Sequence, residues 1–149
     1  MAPVADTTDP PLADALPALQ APVAAPLAHV EARLTALADT MPTPLAVVTR
    51  GLLTAGKRLR PLVLLLAAGE DAPKPEAPVI LATAVEETHV ASLIHDDVID
   101  DSQRRRGRPS VPASVGQLSA VLAGDYLAAA AYQQVISAAV PDRNTSSAM

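Results

Sequence analysis

The prolines of this chain divide it into segments and predict where its helices begin and end. Six of the 15 prolines lie within the first 26 residues. Because proline removes a backbone donor and fixes φ, this crowding predicts a mobile leader over residues 1–26. The other nine stand at or near the borders of segments in which apolar residues recur at spacings of three and four. That spacing is typical of amphipathic helices.

The helical pattern predicts an all-α protein. We expect helices from residue 27 to the prolines at 42 and 44, and over residues 45–53, 59–68, 78–101 and 117–140. Glycine and proline predict a loop over residues 104–112. There is no strand-like alternation and no internal repeat. One helical domain is therefore expected over residues 27–140, with a polar tail over residues 141–149.

The composition excludes several classes of function. The chain has no cysteine, so disulfides, zinc–thiolate sites and iron–sulfur clusters are excluded, and any metal must have oxygen or imidazole ligands. It has no phenylalanine or tryptophan and only two tyrosines, which excludes a base-stacking surface. The net charge of −5 also argues against a nucleic-acid partner.

Membrane and targeting signals are not evident in the sequence. No apolar run approaches the roughly 18 to 20 residues that a membrane-spanning helix needs, so no transmembrane segment is predicted. The first basic residue is Arg33, which leaves the N-terminus without the positive region of a secretory signal. A cytoplasmic location is the resulting prediction.

An acidic cluster ends the longest predicted helix and consists of Asp96, Asp97, Asp100 and Asp101. Carboxylates are disfavoured at a helix C-terminus, and pairs four residues apart repel each other on one face. A divalent cation, Mg²⁺ above all, would neutralise them and keep coordination positions open for phosphate. The alternative is an acidic helix end that faces water.

Two basic clusters flank the acidic one. The first comprises Lys57, Arg58 and Arg60, and the second comprises Arg105 and Arg106 ahead of Gly107. Guanidinium groups bind phosphate through paired donors, and lysine adds a point charge, so the set suits two diphosphates held side by side. The alternatives are a solvated loop that neutralises the aspartates and an ordinary helix surface.

These motifs, in this order and spacing, resemble the trans-isoprenyl diphosphate synthases, also called polyprenyl synthetases, over about residues 45–140. The matching segments are Gly56-Lys57-Arg58-Leu59-Arg60-Pro61, residues 87–100 from Glu87 to Asp100, Arg105-Arg106-Gly107, Gly116 and Gly124-Asp125-Tyr126-Leu127. The resemblance implies a partial isoprenoid-synthase-type helical bundle, in a family of usually dimeric proteins with a deep central cavity.

The resemblance implies a prenyltransferase that condenses isopentenyl diphosphate with an allylic diphosphate to a polyprenyl diphosphate. An allylic carbocation would form, and a dry pocket would protect it from water. By analogy with the family, Asp96, Asp97 and Asp100 hold Mg²⁺ and the allylic diphosphate. Further contacts implied in the same way are Arg105 for the allylic diphosphate and Lys57, Arg58, His89 and Arg106 for isopentenyl diphosphate.

The two histidines near the acidic cluster are assigned different roles. His89 lies seven residues before Asp96, nearly two helical turns, and is therefore expected on the same face. A core histidine with satisfied hydrogen bonds is the alternative for His89. His95 is about 100° away from Asp96 around the helix and is interpreted as structural.

Two small residues before the acidic cluster bear on product length. Ala91 and Ser92 are expected on the face of Asp96, one turn deeper into the cavity. In the family, bulky residues at such positions stop chain elongation, so small ones predict a long polyprenyl product. The alternative is that both simply permit close helix packing.

The chain also departs from the family pattern. Family members are about twice as long and carry a second aspartate-rich motif, which has no match here, so a fragment of the N-terminal half is expected. We expect it to form a homodimer or to associate with a full-length homologue. Two alternatives remain: a non-catalytic diphosphate-binding subunit or remnant on a full-length partner, and an unrelated helical protein with a structural cation.

Overall fold

The protein is described here by a computed structural model that covers residues 12–69 and 76–139. Within those residues it is almost entirely helical, which confirms the predicted all-α class. The helices are α1 (Leu12–Gln20), α2 (Ala24–Thr40), α3 (Thr43–Leu53), α4 (Leu59–Ala68), α5 (Glu76–Ile99), α6 (Val111–Val115) and α7 (Gln117–Ala139). A 3₁₀ turn (Ala21–Val23) precedes α2, and a small hairpin of β1 (Arg104–Arg105) and β2 (Arg108–Pro109) follows α5.

Helix α5 lies at the centre of the fold. It packs most extensively against α7 and also contacts α4, α2, α3 and α6. Its buried positions extend around more than one face, and they include Val90, Ala91 and Ile94. The core consists mainly of valine, leucine and alanine, and the small alanine side chains let the helices approach closely.

The start of the chain differs from the prediction. Residues 12–26 are helical, not an irregular leader, and Leu16 packs against the core. Pro26 lies in the first turn of α2. Backbone N–H groups in that turn have no acceptor within the helix, so a proline there removes no hydrogen bond. Pro17 lies inside α1, so packing of that short helix outweighs the hydrogen bond that proline removes. Residues 1–11 and 140–149, where the rest of the leader and the polar tail were predicted, lie outside the described residues.

The segment after α5 is more ordered than the predicted loop. The four residues 105–108 form a tight β-turn, with Arg106 and Gly107 at φ +49° and +79°. Positive φ at both central residues is the geometry that joins two strands without splaying them. Buried Ser110 fixes the far end, because its hydroxyl donates to the Ser102 carbonyl and accepts from the Ala113 N–H at the start of α6.

Helix α5 is long and apolar enough to cross a membrane by length and composition, with a mean hydropathy of 1.2 over 18 residues. Half of that window is buried within the fold, as in the core helix of a globular protein. No other helix in residues 12–69 and 76–139 meets the same criteria. The predicted lack of a transmembrane segment and the cytoplasmic location stay predictions.

Candidate active site

Arg58 is buried at the start of α4, where it holds three parts of the fold together. It adopts a left-handed conformation with φ +53°, which precedes the first turn of α4. Its guanidinium donates to Glu31 on α2, to Glu86 on α5, and to the carbonyls of Leu53 at the end of α3 and Ala55 after it. Burial alone would lower the pKa of Arg58, but the hydrogen bonds and charges of the two glutamates outweigh it and raise that pKa.

These contacts correct the sequence-based assignment of Arg58 to a substrate diphosphate. All five N–H groups of its guanidinium are donated to groups of the chain, so none remains for phosphate. Arg60, two residues later, is exposed and lines the adjacent cavity. Sequence analysis assigned no individual role to Arg60, because Arg58 and Arg60 belong to the same basic cluster and only the fold shows which of them is available to the cavity.

A cavity of about 920 Å³ opens between α3, α4, α5 and the hairpin. Its lining includes Lys57, Arg60, His89 and Arg106, so the structure brings together residues from three separate segments. Lys57 precedes α4 and Arg60 lies in its first turn. Both are therefore at a helix N-terminus, where free N–H groups favour an anion. The cavity is therefore chemically suited to phosphate.

The acidic side chains of this cavity are already committed. Glu86 accepts from Arg58 with an Nη1 to Oε1 distance of 3.1 Å. Asp97 accepts from Arg105 at 2.8 Å and 2.9 Å, using both of its oxygens. Glu86 and Asp97 are the carboxylates in the cavity lining, and both already pair with arginines. They therefore do not neutralise the other cations that face the cavity.

The environment of His89 keeps its imidazole neutral at neutral pH. Burial lowers the pKa of His89 below its usual value, and the charge of Arg60 lowers it further. Glu86 opposes this effect, and Arg106 adds to it. A neutral imidazole in this position can donate one hydrogen bond to a phosphate oxygen.

The predicted metal-binding aspartates fall into two groups. Asp97 is only 2% exposed and is held by Arg105, and its hydrogen bond raises the pKa of that guanidinium. Asp96 on α5 and Asp100 in the turn directly after it are exposed, and the Asp100 N–H donates to the Asp96 carbonyl at 2.8 Å, so the two side chains lie on the same side. Within residues 12–69 and 76–139, no side chain donates a hydrogen bond to the carboxylate of Asp96 or of Asp100.

This arrangement fits a divalent cation that is shared with a ligand. No group of three or more His, Asp or Glu side chains in the described residues converges as a protein-only metal site. Mg²⁺, however, commonly binds through one or two carboxylates and completes its shell with water and substrate phosphates. Asp96 and Asp100 meet that requirement, whereas Asp97 would first have to leave Arg105.

The predicted chain-length pair is not on one face. Ser92 is exposed, and its hydroxyl donates to the His89 carbonyl at 2.8 Å. Ala91 is 3% exposed and belongs to the core. It lies one turn from Glu87 and from His95, both of which contact α7, so Ala91 faces α7. The expectation that both residues line one tunnel wall is therefore wrong for Ala91.

His95 is a packing residue, in keeping with the sequence-based interpretation. Its Nε2 lies 3.3 Å from the Val121 carbonyl and 3.4 Å from Asp125 on α7. The imidazole also covers Gly124 so closely that a Cβ there would clash with the ring. Gly124 is thus required by the contact between α5 and α7.

A buried acid outside the cavity was not singled out from the sequence. The Glu87 carboxyl is fully buried and accepts from Gln134 Nε2 at 2.7 Å to each oxygen. Gln134 in turn accepts from Arg33 on α2. Burial raises the pKa of Glu87 to about 7, against the lowering effects of Gln134 and Arg33.

Comparisons with known proteins agree with the geometry. The polyprenyl synthetase family model matches residues 43–148. Octaprenyl diphosphate synthase of Haemophilus influenzae is 45% identical over 80 residues, which are 54% of this chain and 24% of that protein. Heptaprenyl diphosphate synthase component 2 of Geobacillus stearothermophilus is 42% identical over 110 residues, which are 73% of this chain and 34% of that protein.

The fold is also found among solved structures. A decaprenyl diphosphate synthase from Rhodobacter capsulatus superposes with a TM-score of 0.72 at 37% identity, covering 82% of this chain and 38% of that one. The predicted partial bundle of this fold type is thus confirmed. The chain spans about a quarter to a third of the length of the curated relatives named above.

Proposed function

We propose a function from one premise: the chain belongs to the polyprenyl synthetase family. It contributes the diphosphate-binding part of a prenyltransferase site, where isopentenyl diphosphate condenses with an allylic diphosphate to give a polyprenyl diphosphate. Because the chain spans only part of its relatives, this activity is proposed for it and not taken over from them.

Three cations without carboxylate partners in the described residues and one neutral histidine around the same cavity carry the proposal. Lys57, Arg60, His89 and Arg106 would bind the diphosphate of isopentenyl diphosphate, with Arg60 in place of Arg58. Arg58 and Arg105 occupy the lining carboxylates, which leaves the other cations to an outside anion. A diphosphate matches this set, since it carries several charges and many acceptor oxygens.

The exposed carboxylates at the C-terminal end of α5 support a second anion site that depends on Mg²⁺. Asp96 and Asp100 would hold the ion together with the allylic diphosphate. Bound Mg²⁺ would neutralise the charge that develops on the leaving diphosphate. Arg105 would contribute through Nη1, because its Nε and Nη2 atoms already donate to Asp97.

An exposed stripe on α5 suits the growing hydrocarbon chain. Going back from Asp96 along one helix face, the side chains are Ser92, Thr88, Val85 and Leu81, all exposed. The two residues nearest the carboxylates are small, and apolar ones follow. The stripe from residue 96 to residue 81 is about 22 Å long at 1.5 Å per residue, which is room for several isoprene units. A long polyprenyl product is proposed on this basis.

Titration calorimetry with isopentenyl diphosphate tests the cavity assignment. We expect Arg60→Gln to weaken binding about tenfold or more, because one charge-assisted contact is lost. Arg104→Gln is the matched control, since Arg104 is an exposed arginine of the hairpin that donates to the Gly107 carbonyl and is not part of the cavity lining. Equal affinity of Arg60→Gln and the unchanged chain would refute the assignment.

A non-catalytic subunit is the second candidate, and exposed apolar side chains favour it. Leu118, Leu122, Tyr132 and Ile136 are 54–75% exposed on α7 and would suit a protein partner. The relative from Geobacillus stearothermophilus is named as component 2 of a synthase. Incorporation of labelled isopentenyl diphosphate by the chain alone favours the enzyme, whereas diphosphate binding without turnover favours the subunit.

A further inference from the structure

Arg108 is a cation of the same cavity to which the function proposed above gives no role. In the hairpin, Arg108 is the direct cross-strand partner of Arg105, whereas Arg104 pairs with Pro109. Directly opposed residues project from the same face of a β-ladder. Arg105 extends toward Asp97, so Arg108 extends toward the cavity side and is part of its lining.

The opposed pair Arg105 and Arg108 has an unbalanced charge. Like charges directly opposite each other destabilise a strand pair. Arg105 is neutralised by Asp97, with both carboxylate oxygens engaged. Arg108 has no hydrogen-bond or ion-pair partner among the side chains of the described residues. An anion in the cavity would remove this imbalance.

The guanidinium of Arg108 reaches the Gly51 position on α3. A Cβ built on Gly51 would lie 3.8 Å from Arg108 Nη1, so the guanidinium lies against the backbone of α3 at its one residue without a side chain. The guanidinium thus crosses from the hairpin to the opposite wall of the cavity. It stands apart from Lys57 and Arg60, which approach from the start of α4.

We propose that Arg108 is a further phosphate-binding residue of this cavity and favours a diphosphate over a single phosphate. The inference rests on the proposed function, because it assumes that the cavity binds a diphosphate. Lys57, Arg60, Arg106 and Arg108 are four uncommitted positive charges around one cavity. Near pH 7 one phosphate group carries a charge of about −1.5 to −2, which is less than four cations balance, whereas a diphosphate carries more charge and presents oxygens on two phosphorus atoms. Arg108, on the α3 side, contacts the second phosphate group.

Titration with inorganic pyrophosphate and with orthophosphate tests the role of Arg108. We expect Arg108→Gln to weaken pyrophosphate binding about tenfold while changing orthophosphate binding less than threefold, so the preference for diphosphate falls. Arg108→Lys keeps the charge and should recover part of the loss. Arg104→Gln is the control, because Arg104 lies on the opposite face of the same hairpin.

The outcomes separate this inference from the proposed function. If Arg108→Gln and Arg104→Gln bind pyrophosphate equally well, or if both phosphates weaken equally, the role of Arg108 is refuted while the cavity assignment stands. If the unchanged chain binds no pyrophosphate, the proposed function fails and the inference fails with it. Circular dichroism of each variant verifies that the helices are retained.

Discussion

Arg58 and Glu86 form a buried ion pair, Nη1 to Oε1 3.1 Å, in which the two side chains are only 3% and 8% exposed. The pair joins the start of α4 to α5 in the wall of the cavity that Lys57 and His89 also line. Because Arg58 also reaches Glu31 and two carbonyls, it sets the position of the α4 N-terminus relative to α5. The cations at that terminus face the cavity as a consequence.

We predict that Arg58→Met destabilises the fold strongly. The substitution leaves Glu86 as a buried charge without its partner, which typically costs about 3 to 5 kcal/mol of unfolding free energy. Arg60→Met, on an exposed residue of the same turn, should change it by less than about 0.5 kcal/mol. Urea unfolding measures both. Similar losses in the two variants would contradict the structural role assigned to Arg58.

The neighbouring aspartates 96 and 97 should respond differently to substitution by asparagine. Asp97→Asn removes the charge partner of Arg105 and should cost about 3 kcal/mol of unfolding free energy. Asp96→Asn relieves repulsion with Asp100 at a helix end and should leave stability equal or slightly higher. It should, however, abolish the dependence of allylic diphosphate binding on Mg²⁺. Calorimetry with and without Mg²⁺, beside urea unfolding, distinguishes the two effects.

The sequence predicted most of the helices but only part of the site. Helix α4 was predicted with the bounds it has, because apolar spacing and a first-turn proline agree there. Arg58 was misassigned because its left-handed backbone turns the side chain into the fold, and a motif does not show that conformation. The predicted face of Ala91 was wrong, because five residues at 100° each place it about 140° away from Asp96 around the helix.

The pH dependence of stability should include a contribution from Glu87. Its pKa is about 7 in the fold and near 4.5 in the unfolded chain. The folded state therefore holds a proton that the unfolded state has lost, and stability falls as pH rises from about 4.5 to 7. The slope is about 1.4 kcal/mol per pH unit over that window and vanishes above it.

Replacing Glu87 by glutamine tests this assignment, because the amide stays neutral at every pH and has a similar shape. Unfolding in urea between pH 5 and pH 8 should show a shallower pH dependence for Glu87→Gln than for the unchanged chain. Glu76→Gln, on an exposed residue of the first turn of α5, is the control. An unchanged slope in Glu87→Gln would show that another group causes the dependence.

The exposed apolar stripe of α7 should cause association. Leu118, Leu122, Tyr132 and Ile136 recur along one side of that helix, and water contact with them is unfavourable. We expect dimers or larger species in sedimentation at micromolar concentration, and a shift toward monomer in the double variant Leu122→Glu and Ile136→Glu. A compact monomer of the unchanged chain at that concentration would contradict this prediction.

The last prediction separates packing from product length at residues 91 and 92. Ala91 is 3% exposed and faces α7, so Ala91→Phe should overpack the interface between α5 and α7 and cost about 1 to 3 kcal/mol of unfolding free energy. Ser92 is exposed on the stripe that leads to Asp96, so Ser92→Phe should leave stability within about 0.5 kcal/mol. In a full-length synthase that carries residues 43–139 of this chain, Ser92→Phe should shorten the polyprenyl product, because a ring would stand beside the stripe along which the hydrocarbon chain grows. Product lengths that are equal in Ser92→Phe and the unchanged chimera would show that this stripe does not carry the hydrocarbon chain.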